Sequence, residues 1–124
     1  MLSIGECFLM GWRGGFTKHL HIVINDPNEH DGHAVVVNAT KNETLSGGGI
    51  NCHKHGSSVV GLRKELVAFT KAMKFDKDQQ ERIQRAYGPY IVPETAASEA
   101  LVQKIVAAAL VSKYFPKAWH SLLR

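Results

Sequence analysis

A valine-rich run in the first third of the chain places the strongest constraint on the fold. Four successive apolar residues, Ala34 to Val37, are followed by Asn38. A strand with one face in water alternates polar and apolar residues, whereas a continuous apolar run is typical of a strand buried on both faces. The sequence therefore predicts a strand here that is covered from two sides.

Further short strands are predicted on either side of this run. Residues 6–11 form a short apolar run, and residues 19–24 are β-branched and partly alternating. Residues 25–28, Asn-Asp-Pro-Asn, are a dense turn signal that ends the second of these strands. Apolar residues at 50–53, 57–60 and 66–72 complete a set of five or six strands.

The rest of the chain has helical patterns. Asp76 with Gln79, or Asp78 with Glu81, predicts a capping box, and Gly88 is a stop signal for the helix that follows. From about residue 95, apolar residues recur at i, i+4 and i+8 and predict an amphipathic helix that ends before Pro116. The apolar residues near position 120 predict a short terminal helix that packs back on the domain.

Short strands followed by helices indicate the α+β class. Five or six strands of this length would close most economically into a small β-barrel, because closure removes exposed sheet edges. For residues 1–124 we therefore predict a single domain, with a β-barrel over residues 1–72 and two or three helices over residues 76–124.

The charge is unevenly distributed along the 124 residues, whose formal net charge is +4. Residues 1–62 hold four Lys/Arg and five Asp/Glu, whereas residues 63–124 hold eleven Lys/Arg and six Asp/Glu. A basic half is compatible with an acidic partner, RNA above all, and also with an ordinary solvated helical surface. The two cysteines form no CxxC motif, and there is neither a secretory leader nor an apolar run of membrane-spanning length. These features predict a cytoplasmic protein with reduced thiols and no membrane partner.

Histidine is the residue type most suggestive of chemistry, because its ordinary pKa near neutrality lets it act as base, acid, cation or metal ligand. Two short pairs stand out, His19 with His21 and His53 with His55. In a strand, His19 and His21 share one face with Val23, while residues 20, 22 and 24 form the other face. The first pair is expected either to face a cleft as a base or phosphate-binding cation, or to mark an ordinary solvent-facing or half-buried strand edge.

Two other features could bind a polyanion. Trp12 and Phe16 could stack on bases while Arg13 and Lys18 neutralise phosphate, although the same segment could be a hairpin whose aromatic side chains fold onto the barrel end. Hydroxyl groups stand at predicted strand ends, at Thr40 and Ser57. Cys52 and the four paired histidines are enough ligands for zinc, but their spacing is not that of a finger or ribbon. We predict no metal and no cofactor.

Three segments in this order resemble the PemK/MazF-like toxin superfamily: residues 19–27 (HLHIVINDP), 35–40 (VVVNAT) and 55–60 (HGSSVV). The resemblance covers roughly residues 5–70. It implies an SH3-like barrel, commonly dimeric, that pairs with an antitoxin. It also implies a metal-independent endoribonuclease that cleaves single-stranded RNA through attack of the ribose 2′-hydroxyl. The family's Pro-Arg-Gly signature is absent, and His19-Leu20 stands where the family has Arg-Pro.

The resemblance places site residues on two loops and two strand ends. The expected catalytic residues are His19, Arg13 and His55. The expected nucleic-acid-binding residues are Trp12, Phe16, Lys18, Thr40, His53 and Ser57. Two alternatives remain open at this point: a non-catalytic module of a phage or mobile element that binds a protein through the C-terminal helices, and a metal-dependent enzyme that uses the histidine pairs.

Overall fold

The computed structural model describes residues 1–11, 18–40, 66–85, 91–94 and 96–124. The strands are β1 (Cys7–Gly11), β2 (Lys18–Val23), β3 (Ala34–Thr40), β4 (Leu66–Phe75) and β5 (Ile91–Glu94). The α-helices are α1 (Lys77–Arg85) and α2 (Glu99–Val111), and 3-10 helices occupy Pro27–Glu29 and Lys117–Leu123. The strands form one antiparallel sheet in the order β4-β3-β2-β1-β5.

This architecture confirms the α+β class. Within residues 1–72, where five or six strands are predicted, the described part of the chain has four, and the predicted strands at 50–53 and 57–60 lie outside it. The fifth strand, β5, lies between the two α-helices and was not predicted. In the sheet order β4 and β5 are the outer strands, and the described residues form no pairing between them. The structure therefore shows a sheet without showing its closure into a barrel.

The two central strands are buried on both faces, as the valine run predicts. Every side chain from Leu20 to Ile24 and from Ala34 to Ala39 is buried. We call the two sides of the sheet face A and face B. Face A includes Leu20, Ile22, Ile24, Val35, Val37, Val67 and Phe69. Face B includes Phe8, Val23, Ala34 and Val36.

Helix α2 and the C-terminal 3-10 helix cover face A. The apolar stripe of α2 packs on the sheet, and the ring of Phe115 contacts Phe69 of β4 edge-to-face at 6.0 Å. Trp119 packs against Phe115 in turn, at 5.9 Å. The terminal segment therefore packs back as predicted, in 3-10 form. Helix α2 ends at Val111, before Pro116, and the backbone N–H of Ser112 bonds the Ala109 carbonyl at 3.2 Å.

Helix α1 and the N-terminal segment cover part of face B, and the predicted capping box is present. The Asp76 N–H donates to Gln79 Oε1 at 2.9 Å, and the Gln79 N–H donates to Asp76 Oδ1 at 2.8 Å. These reciprocal bonds fix the start of α1 directly after β4. Its only large apolar residue, Ile83, packs on the face B cluster together with Leu2.

Gln80 joins three separate parts of the chain beneath α1. Its side chain is completely buried. Oε1 accepts from the Leu2 N–H at 3.1 Å, while Nε2 donates to the carbonyls of Gly32 and, at 3.1 Å, Phe75. One amide thus satisfies backbone groups of the N-terminal segment, the β2–β3 connection and the end of β4.

The β2–β3 connection is held by polar side chains that match the turn signal at residues 25–28. Asn25 Nδ2 donates to the His33 carbonyl at 2.9 Å, and its Oδ1 accepts from the Val35 N–H at 2.7 Å. Asp26 caps the first 3-10 helix by accepting from the Asn28 N–H at 3.0 Å. These bonds hold the acidic turn against the sheet.

We expect Gln80→Leu to lower the free energy of unfolding by about 2–4 kcal/mol, because three backbone groups lose their partner in a site closed to water. Urea denaturation followed by circular dichroism measures the change. Gln84→Leu, at a partly exposed position of the same helix, is the matched control and is expected to change it by about 0.5 kcal/mol or less. An equal effect of the two substitutions would contradict this role of Gln80.

Candidate functional site

One end of the sheet carries the termini of the four strands that border the predicted site segments, together with the start of β5. Gly11 pairs with Lys18, and Thr40 pairs with Leu66. Ile91, the first residue of β5, is opposite Met10 near the end of β1. We call this end the loop end. The opposite end carries the β2–β3 connection and is called the turn end.

Only part of the predicted site falls within the described residues. His19 is described in full, and Lys18 and Thr40 have assigned strand positions at the loop end. The other predicted site residues lie outside the described residues: Trp12, Arg13, Phe16, His53, His55 and Ser57. The segments that carry them, 12–17 and 41–65, connect to the sheet at Gly11 and Lys18 and at Thr40 and Leu66.

His19 is the second residue of β2 and is opposite Met10 in the antiparallel register. Its side chain is partly buried, so part of the imidazole remains accessible to solvent. Because residues two apart share a face of a strand, His19 lies on face B with His21 and Val23. Leu20, Ile22 and Ile24 on face A and Val23 on face B confirm the predicted division of these residues between two faces.

His21 is buried. The interpretation that the histidine pair marks a solvent-facing strand edge is therefore wrong for this residue. It has no exposed surface, and its ring stacks on Phe8 at 5.5 Å with an interplanar angle of 10°. Nδ1 lies 2.8 Å from the His19 carbonyl oxygen. Since a carbonyl only accepts, Nδ1 carries the proton and Nε2 has the lone pair. Loss of solvation on burial lowers the pKa of His21 to about 4, so the ring is neutral at pH 7.

Asn38 is the cross-strand neighbour of His21 on β3. Its side chain is buried, and both Asn38 Oδ1 and His21 Nε2 are buried atoms that lack a hydrogen-bond partner within the described structure. Buried polar atoms without partners are costly and uncommon in native proteins. Two of them on adjacent strands therefore mark a polar pair among the buried apolar residues of face B.

A metal site is not formed by the described residues, which contain no group of three or more potential ligands among His, Cys, Asp and Glu. Cys7 is buried, and its thiol donates to the Gly5 carbonyl at 3.4 Å. Cys52, His53 and His55, the other proposed ligands, lie outside the described residues. Within the described ranges, no helix has the length and apolar character needed to cross a bilayer.

Comparison with known proteins gives no relative from which a site could be transferred. The chain matches no protein-family model, no curated protein and no solved structure.

The burial of His21 makes stability depend on pH in a defined window. The unfolded chain binds a proton near pH 6.5 and the folded chain only near pH 4, so acidification between these values favours unfolding. We expect protonation of His21 to lower the free energy of unfolding by about 2 kcal/mol between pH 7.5 and pH 5.0. We expect His21→Leu to remove this contribution to the pH dependence.

Urea denaturation at the two pH values tests this expectation. His30→Gln replaces a less buried histidine at the turn end and is expected to keep the wild-type difference. If His21→Leu also keeps the wild-type difference in free energy of unfolding between the two pH values, the pH dependence does not come from His21.

Proposed function

We propose that this protein is a PemK/MazF-like RNA-binding protein that cleaves single-stranded RNA without a metal ion, as the toxin of a toxin–antitoxin pair. The observation that carries the proposal is the position of His19. It is a partly accessible imidazole at the loop end, where the segments containing Arg13 and His55 join the sheet.

The strand connectivity supports the fold that the proposal requires. Strands β1 to β4 form an antiparallel meander, and β5 is added beside β1. The register between β3 and β4 shifts opposite Val37, where the pairs change from Val36 with Met73 to Asn38 with Ala68. Such an irregularity bends a strand and increases its twist. We propose that the bend belongs to an SH3-like barrel, with β4 curling toward β5.

The proposed reaction needs three groups at one phosphodiester. A base removes the proton of the ribose 2′-hydroxyl, whose oxygen attacks phosphorus. A cation stabilises the added negative charge on the phosphate, and an acid protonates the departing 5′-oxygen. A 2′,3′-cyclic phosphate and a free 5′-hydroxyl result. We assign proton transfer to His19 and His55 and charge stabilisation to Arg13.

The two histidines of β2 have different roles in this proposal. His21 is neutral, has no exposed surface and already uses Nδ1 to bond the His19 carbonyl. It therefore holds the backbone of β2 at the residue that carries the accessible imidazole. Trp12, Phe16, Lys18, Thr40, His53 and Ser57 are proposed to contact the RNA around the reacting phosphate, by stacking, charge and hydrogen bonding.

We expect His19→Ala, Arg13→Ala and His55→Ala each to reduce RNA cleavage by about 10²-fold or more, because each removes one of the three chemical groups. The measurement is the initial rate on a fluorescent single-stranded RNA in excess EDTA. Mass spectrometry of the products should show the cyclic phosphate, and a 2′-deoxy substitution at the cut site should abolish cleavage.

His30→Ala is the control, because His30 lies at the turn end, beyond the end of β2 opposite His19. Circular dichroism of each variant checks that the fold is retained. Uncut RNA with the wild-type protein would exclude the nuclease activity, whereas wild-type rates for His19→Ala and His55→Ala would exclude the site. Growth arrest on expression, relieved by the product of a neighbouring gene, tests the toxin–antitoxin assignment separately.

A further inference from the structure

A groove runs along α2 at the turn end of the molecule, which is the end opposite His19. Its main cavity has a volume of about 330 Å³, and an adjoining cavity of about 300 Å³ shares three of its lining residues. The apolar lining comes from Ile4, Val102, Val106, Leu110, Leu122 and Leu123. The adjoining cavity extends the groove to Glu99, so that it follows α2 from Glu99 to Leu110, a rise of about 16 Å.

The groove combines an apolar floor with an acidic wall. Asp26 and Glu29 line it from the first 3-10 helix, and Glu99 lines it from the start of α2. His30 and Arg124 also line it, and the described residues form no ion pair with Asp26 or Glu29. This carboxylate excess occurs on a chain whose formal net charge is +4. Charge complementarity therefore favours a cationic occupant.

The length and lining of the groove fit a helix better than an isolated side chain. Val106 and Leu110, both partly buried, stand four residues apart on α2 and line the groove beside the buried Val102. An amphipathic helix binds such a floor with apolar residues spaced three and four apart. About three turns of helix match the length of 16 Å.

A second copy of the chain does not supply such a helix from its described residues. Helix α1, Lys77–Arg85, has one large apolar residue, Ile83, which packs on face B. On α2, Leu101, Ile105 and Ala109 are buried against face A and are not available to a second copy. Neither described α-helix of a second copy therefore offers a free apolar stripe, which favours a helix of another protein as the occupant.

We propose that this groove binds an amphipathic helix of a partner protein, with leucine-like side chains on the apolar floor and Lys or Arg side chains facing Asp26 and Glu29. The groove lies at the end of β2 opposite His19, and the inference does not depend on the proposed nuclease activity.

A designed peptide pair tests this inference on the full chain. Both peptides have twelve residues, capped termini and leucines spaced three and four apart. One has lysines on the flanks of the leucine stripe and the other has glutamates. Amide chemical shifts of the ¹⁵N-labelled protein report the binding site and the Kd. We expect the lysine peptide to shift residues of the groove saturably, and to bind at least about fivefold more tightly than the glutamate peptide.

Variants of the groove sharpen the test. Asp26→Asn with Glu29→Gln keeps an oxygen acceptor for the cap at Asp26 and removes two charges. It is expected to weaken lysine-peptide binding by about fivefold. Leu110→Gln is expected to weaken both peptides by a similar factor. Asp78→Asn with Glu81→Gln makes the same change of net charge on α1 and should leave the Kd unchanged.

Several outcomes would overturn the proposal. These are equal affinity for the two peptides, shifts that map to the loop end, and no saturable shift at millimolar peptide. Shifts of groove residues that change on dilution without peptide would also overturn it, because they would assign the groove to a second copy of the chain.

Discussion

Strands β2 and β3 are buried on both faces, and the rest of the structure provides the cover that this burial demands. Face A receives α2 and the C-terminal 3-10 helix, while α1 and the N-terminal segment cover part of face B. In a sheet with one solvent-exposed face, the residues on that face could be substituted freely. Here a shift of one residue in register would exchange the contents of two packed faces, so the register of β2 is strongly specified. The position of His19 at the loop end follows from that register.

Burial on both faces also removes water from the buried polar side chains of β2 and β3. This costs free energy unless a hydrogen bond within the protein replaces the lost hydration. At Gln80, beneath α1, protein groups replace the lost hydration, since its amide makes three hydrogen bonds to backbone groups. His21 and Asn38 instead retain one unpartnered buried atom each. A departure from full hydrogen bonding is expected where function rather than stability selects the residues. The departure here lies on face B, two residues from the imidazole to which we assign proton transfer.

Periodicity and capping signals predicted much of the fold because local sequence decides them. The valines of β3, the two faces of β2 and the capping box of Asp76 and Gln79 all have the predicted form. Strand β5 was missed because four residues that include Pro93 carry little strand signal, and their pairing with β1 depends on distant residues. Alternation placed His21 on the same face as His19 but could not show that this face is covered, since its cover comes from other parts of the chain. For the same reason, sequence alone did not show that Phe8 and Asn38 flank this ring.

The antiparallel meander separates the two proposed surfaces physically. His19 lies at one end of β2 and Asn25 follows its other end, a separation of about 20 Å along an extended chain. An RNA bound at His19 and a helix bound beside Asp26 would therefore contact opposite ends of β2. Coupling between them would require β2 to move relative to its neighbours, and a packed sheet resists such movement because both faces would lose their contacts. A ligand changes the affinity of a second site only where it favours a different conformation. We therefore expect the helix partner to bind without altering RNA affinity. Any inhibition by that partner would have to come from additional segments that reach the loop end.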